Sequence, residues 1–303
     1  MIRKLALALT LVLFVQDTQA ADLVRFVRLK ISAGDLATGQ AMAEDYRKTT
    51  GVDEEYLNAI GWIARGAEML DRPEIAQEAL TVLHREIPSE TPAMLTPYGA
   101  AIEVQGRLIQ ASEGRGAAIR FFENQLAVAK APSLRSRISK NINLLSMEGH
   151  PAPALDGTDF VGAAPPPTLA SLRGKPVLLF FFAEWCGDCK AQAASLARVW
   201  EKYKPLGLEL IAATRLYSSP TDEKPMTPPE EKAKVEKVWK ENYKGLEDVP
   251  IAIGTDLMVR YGASATPTFA LVDREGVVRS YSPTRLSEAE LSRRIAEVLS
   301  EAP

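Results

Sequence analysis

The sequence predicts an all-α domain of repeated helix pairs, followed by an α/β domain in which helices flank a central sheet. Helical hydrophobic patterns recur without a convincing strand from about Asp22 to Met147. Further on, the continuous apolar run at 176–183 suits a parallel strand that is buried on both faces. With 303 residues and 46% hydrophobic composition, the chain can bury more than one core. We therefore expect a helical domain and an α/β domain at residues 21–147 and 148–303.

The first twenty residues have the pattern of a secretory signal. Arg3 and Lys4 precede an apolar run at 5–15, and small residues surround a cleavage point before Ala21. This run is short against the ~20 residues that a membrane-spanning helix needs, which favours export over a retained anchor. We expect residues 1–20 to be removed, leaving a soluble protein in the periplasm or another extracytoplasmic space. The formal net charge of −3 suggests neither a nucleic-acid partner nor an anionic membrane surface.

A short pattern recurs within the helical domain after 37 and then 42 residues. Each copy begins with a small residue that would let neighbouring helices approach closely: Gly39, Ala76 and Ala118. The segment resembles tetratricopeptide repeats, which are stacked helix-turn-helix units, and a helix near 134–147 would cap them. That resemblance implies a protein partner on this domain. An ordinary helical bundle explains the same pattern, and the sequence leaves both open because three copies are the minimum for a stack.

The only two cysteines, Cys186 and Cys189, stand where the buried strand gives way to an amphipathic helix. A helix N-terminus stabilises a thiolate at Cys186, and Cys189, one turn further on, is placed to attack a mixed disulfide formed there. A zinc site would need about four ligands, but the chain has only two histidines, both far away in sequence. A purely structural disulfide closing so short a loop would stabilise little. The pattern therefore favours a catalytic redox pair without a metal.

The α/β domain carries a series of motifs in a fixed order. They begin at 148–153 and 168–177, continue through 182–190, and end at 261–269 and 273–276. Together they resemble the TlpA-like, redoxin-type branch of the thioredoxin superfamily. Motifs in this order are more specific than a lone Cys-x-x-Cys. The resemblance implies a thioredoxin-like fold for the second domain.

The same resemblance implies roles for the residues around the cysteines. Thr266 and Pro267 look like the superfamily's cis-proline dipeptide, which offers its backbone to an extended substrate peptide. A strand-edge proline is the alternative. Trp185 would flank the site and contribute to substrate binding. Gly187 and Asp188, between the cysteines, would tune the redox pair, since a carboxylate there disfavours a nearby thiolate.

Several positions depart from the family's pattern, and two of them lack an expected acid. Phe180 stands where many thioredoxins have a buried aspartate, and Gln192 stands where TlpA-like reductases often have a glutamate. The group that accepts the proton of Cys189 is therefore unidentified. Glu184, Asp188 and Arg215 are candidates for this acceptor by proximity alone, although such charged residues more often form a solvated rim.

An insertion near 214–248 separates two of the expected strands. Its second part, at 230–243, has the pattern of a charged helix. Family members with an insertion here use it to shape the substrate face, but the charged composition favours a solvated element.

We therefore predict an exported thiol-disulfide oxidoreductase that reduces disulfide-containing protein substrates through Cys186 and Cys189. It would need no cofactor beyond this redox-active disulfide, which an unidentified thiol electron donor would recharge. The alternative is a helical-repeat adaptor whose thioredoxin-like domain binds partners with low turnover. The missing acid at both family positions favours the adaptor, whereas the intact Cys-x-x-Cys favours the enzyme.

Overall fold

The computed structural model describes residues 22–155, 159–219 and 222–300. The chain divides into two compact units between Ala131 and Pro132. The expected secretory signal at 1–20 lies outside the described residues. Within the described ranges, no helix is both long enough and apolar enough to cross a membrane.

The described part of the first unit is helical. Its helices are α1 (Leu23–Ser32), α2 (Leu36–Thr49), α3 (Glu54–Met69), α4 (Pro73–Glu86), α5 (Leu95–Glu113) and α6 (Arg115–Val128), with a 3-10 turn at Pro92–Met94. Aspartate side chains cap the N-termini of two of these helices. Asp35 accepts a hydrogen bond of 3.1 Å from the Thr38 amide, and Asp53 accepts one of 2.8 Å from the Tyr56 amide. The apolar faces of α1 to α5 enclose one core. The predicted all-α domain is confirmed.

The three helix pairs share two features. The turn inside each pair contains a residue with positive φ, namely Gly34, Asp71 and Gly114. The small residues that begin the predicted copies are buried in the second helix of each pair: Gly39, Ala76 and Ala118. Burial at these three positions supports packing between neighbouring helices. Their assignment as tetratricopeptide-type repeats remains a prediction.

The second unit is built on a mixed six-stranded sheet. Its elements are α7 (Pro132–Ser146), β1 (Asp159–Val161), β2 (Val177–Phe181), α8 (Gly187–Tyr203), β3 (Glu209–Thr214), α9 (Pro228–Asn242), β4 (Ile251–Ile253), α10 (Thr255–Arg260), β5 (Thr268–Val272), β6 (Val278–Ser282) and α11 (Glu288–Ser300), with a 3-10 turn at Lys204–Leu206. The strand order is β1-β4-β3-β2-β5-β6. Strands β2, β3 and β4 run parallel, and the other pairings are antiparallel. The predicted α/β domain is confirmed.

Alternate residues of the central strand β2 enter two separate cores. The ring of Phe180 lies 6.4 Å from that of Trp239 on one face, and the ring of Phe181 lies 4.7 Å from that of Tyr261 on the other. Because side chains alternate along a strand, both faces of the sheet are covered. The expectation of a doubly buried strand at 176–183 is confirmed.

The division between the units differs from the boundary expected after residue 147, because α7 belongs to the sheet domain. The Asn143 side-chain amide donates a hydrogen bond of 3.0 Å to the carbonyl oxygen of Arg260, at the end of α10. Gly262, with φ 59°, lies so close to the backbone of Lys140 that a Cβ there would overlap it. Helix α7 therefore packs against α10 and belongs to the second unit, not to the unit of the helices that it was expected to cap.

The insertion between β3 and β4 packs against the sheet, so the expectation of a solvated element is wrong for its inner face. Val235 is completely buried, and Trp239 is 3% exposed. The indole ring of Trp239 lies 5.0 Å from the ring of Phe182 and stacks at 4.2 Å on Tyr243. Helix α9 is thus a structural part of the domain that carries the cysteines.

Candidate active site

Three segments that are distant in sequence meet at one edge of the sheet. Strands β2 and β3 run parallel and end at this edge, and β5 begins there because it is antiparallel to β2. The segments 183–186, 215–219 and 265–267 adjoin these strand ends. The carboxyl edge of parallel strands is a common place for a site in α/β folds.

Cys186 caps α8, and Cys189 lies in its first turn. The Cys186 Sγ accepts a hydrogen bond of 3.1 Å from the Cys189 amide, and the two sulfurs are joined as a disulfide with their Cα atoms 5.3 Å apart. Cys186 is 5% exposed and Cys189 is completely buried. Cys186 is therefore slightly more accessible than Cys189, although both side chains are buried. The same amide would stabilise a Cys186 thiolate after reduction.

The loop before β5 lies directly against the disulfide. The peptide bond between Thr266 and Pro267 is cis. The Thr266 carbonyl oxygen lies 3.4 Å from the Cys186 Sγ. The Thr268 hydroxyl donates a hydrogen bond of 2.6 Å to the Ala265 carbonyl, which braces the loop. The structure therefore brings together the cysteine pair and the dipeptide that the motifs singled out.

Trp185 has an aromatic neighbour that the sequence analysis missed. Its side chain is 61% exposed, and its ring centroid lies 5.6 Å from that of Tyr217 in an edge-to-face arrangement. The Arg215 guanidinium carbon lies 4.5 Å from the centroid of the Tyr217 ring. Burial raises the pKa of Tyr217, and the nearby Arg215 opposes this. The insertion therefore contributes a cation and an aromatic ring beside the cysteines.

A buried carboxylate fixes the segment that carries Tyr217. Glu231, on α9, is 1% exposed. It accepts hydrogen bonds of 2.5 Å from the Tyr217 amide and 3.1 Å from the Ser218 amide. A charged acceptor buried with two backbone donors makes a strong attachment. Helix α9 thereby holds this segment in place.

Glu184 is buried, so the expectation that it lies on a solvated rim is wrong. It is 3% exposed, and its Oε1 accepts a hydrogen bond of 3.0 Å from Lys234 on α9. Its Oε2 is buried and has no hydrogen-bond partner among the described residues. A carboxylate is retained in such surroundings when a counter-charge compensates its desolvation. The ion pair thus ties α9 to the residue two places before Cys186.

Phe180 and Gln192, which stand where the family's pattern has acids, both form structural contacts. Phe180 is completely buried, and its ring lies 5.2 Å from that of Phe269. Gln192 is 1% exposed, donates a hydrogen bond of 2.9 Å to the Leu286 carbonyl and accepts one of 3.0 Å from the Leu286 amide. It therefore binds α8 to the segment that precedes α11. Neither side chain can take up a proton from Cys189.

Asp188 is exposed and faces a cation that the sequence analysis did not consider. Its Oδ1 lies 3.6 Å from the Arg285 guanidinium, and the two side chains are 69% and 52% exposed. The Arg285 charge offsets part of the repulsion that Asp188 exerts on a Cys186 thiolate. The effect of Asp188 on the redox pair is therefore smaller than the sequence alone suggests.

Asp188→Asn should make the reduction potential of the pair less negative. Removing a negative charge stabilises the Cys186 thiolate and hence the reduced protein, by on the order of 10 mV for exposed charges. Arg285→Gln should shift the potential in the opposite direction, and the double variant should lie near the wild type. Equilibration with dithiothreitol at low and high salt measures the reduction potentials of the wild type, the two single variants and the double variant. A more negative potential in Asp188→Asn would contradict this account.

A family model supports the assignment of the second unit. The model described as the AhpC/TSA family matches residues 149–281. This part of the chain is a thioredoxin-like AhpC/TSA domain. The domain contains both cysteines and the Thr266–Pro267 loop, so the redoxin-type resemblance is confirmed.

Curated relatives of this AhpC/TSA domain are named thiol-disulfide oxidoreductase ResA. The protein from Bacillus thuringiensis (strain Al Hakam) is 32% identical over 112 residues, which are 36% of this chain and 56% of the relative. The protein from Oceanobacillus iheyensis is 39% identical over 46 residues, which are 15% of this chain and 24% of the relative. The chain thus spans about half, or less, of the curated relatives it matches.

Solved structures with similar chains include further thioredoxin-like proteins. The crystal structure of a thioredoxin-like superfamily protein aligns with a TM-score of 0.41 at 25% identity, covering 51% of this chain and 99% of that one. A thiol:disulfide interchange protein from Chlorobium tepidum aligns with a TM-score of 0.39 at 20% identity, covering 50% of this chain and 97% of that one.

Proposed function

We propose that this chain is an exported thiol-disulfide oxidoreductase that reduces disulfides in protein substrates. The observation that carries the proposal is the Cys186–Cys189 disulfide at the N-terminus of α8, with the Thr266 carbonyl 3.4 Å from the Cys186 Sγ. The pair can exchange electrons, and the neighbouring backbone can align a substrate strand. The curated relatives are named thiol-disulfide oxidoreductases, which supports the same chemistry. Export is supported by the pattern at residues 1–20.

The reaction needs only the two cysteines and a substrate disulfide. The reduced Cys186 thiolate attacks one substrate sulfur, the substrate S–S bond breaks, and the other substrate sulfur leaves as a thiol. The Cys189 sulfur then attacks the Cys186 Sγ, which forms the internal disulfide and releases the second substrate thiol. Two electrons and two protons pass to the substrate in total. A thiol donor must afterwards reduce the Cys186–Cys189 disulfide, and we propose no organic cofactor.

The reduction potential of the pair is the measurement that tests this proposal. A value near about −270 mV supports a reductant, whereas a value near about −120 mV would make the protein an oxidant. Turnover of a protein disulfide at saturating donor is the second measurement. The adaptor remains the alternative function, because Phe180 and Gln192 stand where the family has acids. Stable partner binding without turnover would establish that alternative and overturn the enzyme.

A further inference from the structure

The sheet order places the cysteine loop between the cis-proline loop and the insertion. Strand β2 lies between β5 and β3, so the segments at the ends of these three strands follow the same order. The Phe182 amide donates a hydrogen bond of 2.9 Å to the Ala213 carbonyl, which extends the β2–β3 pairing towards the site. Arg215 follows two residues later. A peptide that begins beside Thr266 and crosses Cys186 therefore runs towards Arg215.

The segment that carries Arg215 is held in place before any substrate binds. The Glu231 carboxylate binds the amides of Tyr217 and Ser218, and the Met226 amide donates a hydrogen bond of 2.7 Å to the Ser218 hydroxyl. The Tyr217 ring therefore contacts both the Arg215 guanidinium and the Trp185 ring. A preorganised surface loses little conformational entropy when it binds a ligand.

Arg215 forms no ion pair with another residue that the structure describes. No carboxylate of the described residues lies within 4.0 Å of its guanidinium, whereas the acidic groups nearby have other partners. Glu184 binds Lys234, Glu231 binds backbone amides, and Asp222 accepts a hydrogen bond of 2.7 Å from the Ser219 amide. A guanidinium held over an aromatic ring keeps its N–H groups for a planar acceptor such as a carboxylate.

From this arrangement we propose that Arg215, supported by Tyr217, selects substrates that carry an Asp or Glu side chain next to the reacting cysteine. The inference rests on the proposed disulfide reduction and adds the class of substrate. Arg215 acts as a binding residue, while Trp185 and Tyr217 form the surface along which the substrate backbone passes.

Matched peptide disulfides test the proposal on the full-length protein. The substrates are symmetric disulfides of the peptide Gly-X-Cys-X-Gly in which X is Glu, Gln or Lys. Each rate is divided by the rate with dithiothreitol, which removes the intrinsic effect of X on the disulfide. For the wild type we expect kcat/KM to be about fivefold higher for Glu than for Gln, and lower still for Lys, on the scale of one partly exposed ion pair.

Two variants separate charge recognition from a structural effect. Arg215→Gln should lose the preference for the Glu peptide over the Gln peptide, whereas Arg215→Lys should retain much of this preference. Arg198→Gln is the matched control, because Arg198 is 59% exposed on α8 and pairs with Glu288 at 2.7 Å. The Arg198→Gln variant also removes one positive charge, and its preference among the three peptides should match that of the wild type. The wild-type preference should also shrink at high salt.

The outcomes distinguish this inference from the proposed function. A wild type that reduces all three peptides without a salt-sensitive preference overturns the inference and leaves the function standing. An Arg215→Gln variant that slows all three peptides equally also overturns it, because the role would then be structural. If the wild type reduces none of the peptides and no protein disulfide, the proposed function itself falls. If Arg215→Gln does not fold, two other measurements test the inference. They are the salt dependence of the wild-type preference and the ratio of kcat/KM for the Glu and Gln peptides in Arg215→Lys.

Discussion

Cys186→Ala should abolish disulfide reduction, and Cys189→Ala should accumulate mixed disulfides between Cys186 and the substrate. The Cys186 Sγ receives the amide hydrogen bond at the start of α8, whereas Cys189 is completely buried. Loss of Cys186 removes the attacking thiolate, with an expected fall in rate on the order of 10³-fold or more. Loss of Cys189 leaves the attack intact but removes the group that releases the substrate.

Mass spectrometry of trapped complexes and of alkylated protein checks this assignment. Iodoacetamide should label Cys186 before Cys189 in the reduced native wild type. The control is the thermal unfolding of both variants against the reduced wild type, which shows whether lost activity reflects lost structure. Preferential labelling of Cys189, or trapping by Cys186→Ala, would reverse the roles of the two cysteines.

The position of the redox pair could be predicted because its signals are local in sequence. An apolar run at 176–183 must be buried on both faces, and the apolar stripe of α8 begins directly after it. A cysteine between this strand and the helix α8 must lie where the strand ends and the helix begins. No long-range contact is needed for this conclusion, and the structure agrees.

The surroundings of the pair could not be predicted, because they depend on partners far along the chain. The burial of Glu184 is compensated by Lys234, which is 50 residues away in sequence. The inner face of α9 consists of a few apolar residues among lysines and glutamates, a composition typical of a solvated helix. Tyr217 directly precedes the loop-like stretch that begins at Ser218, and no periodic pattern includes it. Only the fold shows that these three elements meet beside the cysteines.

The boundary between the units was misplaced for a related reason. A helical hydrophobic pattern predicts that α7 is a helix, but it does not identify the neighbour against which the helix packs. The contact that decides this question involves Gly262, where the absence of a side chain lets the backbone of Lys140 approach. A glycine gives no hydrophobic signal, so the hydrophobic pattern alone places the start of the second domain after residue 147.

A fragment that begins at Pro132 should therefore fold and reduce disulfides, whereas one that begins at Glu148 should be strongly destabilised. The shorter fragment lacks α7 and its hydrogen bond from Asn143 to Arg260. It also exposes the surface around Gly262, so its free energy of unfolding should fall by at least ~3 kcal/mol, the scale of losing a packed core side chain. Urea titration of the two fragments measures the difference. Equal stability would show that α7 is dispensable.

A point variant of the whole chain tests the same contact without truncation. Gly262→Ala meets both a positive φ of 59° and overlap with the Lys140 backbone. The matched control is Gly149→Ala, where φ is 81° and no atom lies within 4 Å of the added Cβ. Both variants carry a left-handed strain of roughly 1 kcal/mol, so the overlap should destabilise Gly262→Ala by a further ~1–3 kcal/mol. Equal unfolding midpoints for the two variants would mean that the backbone of α7 does not pack against Gly262 in solution.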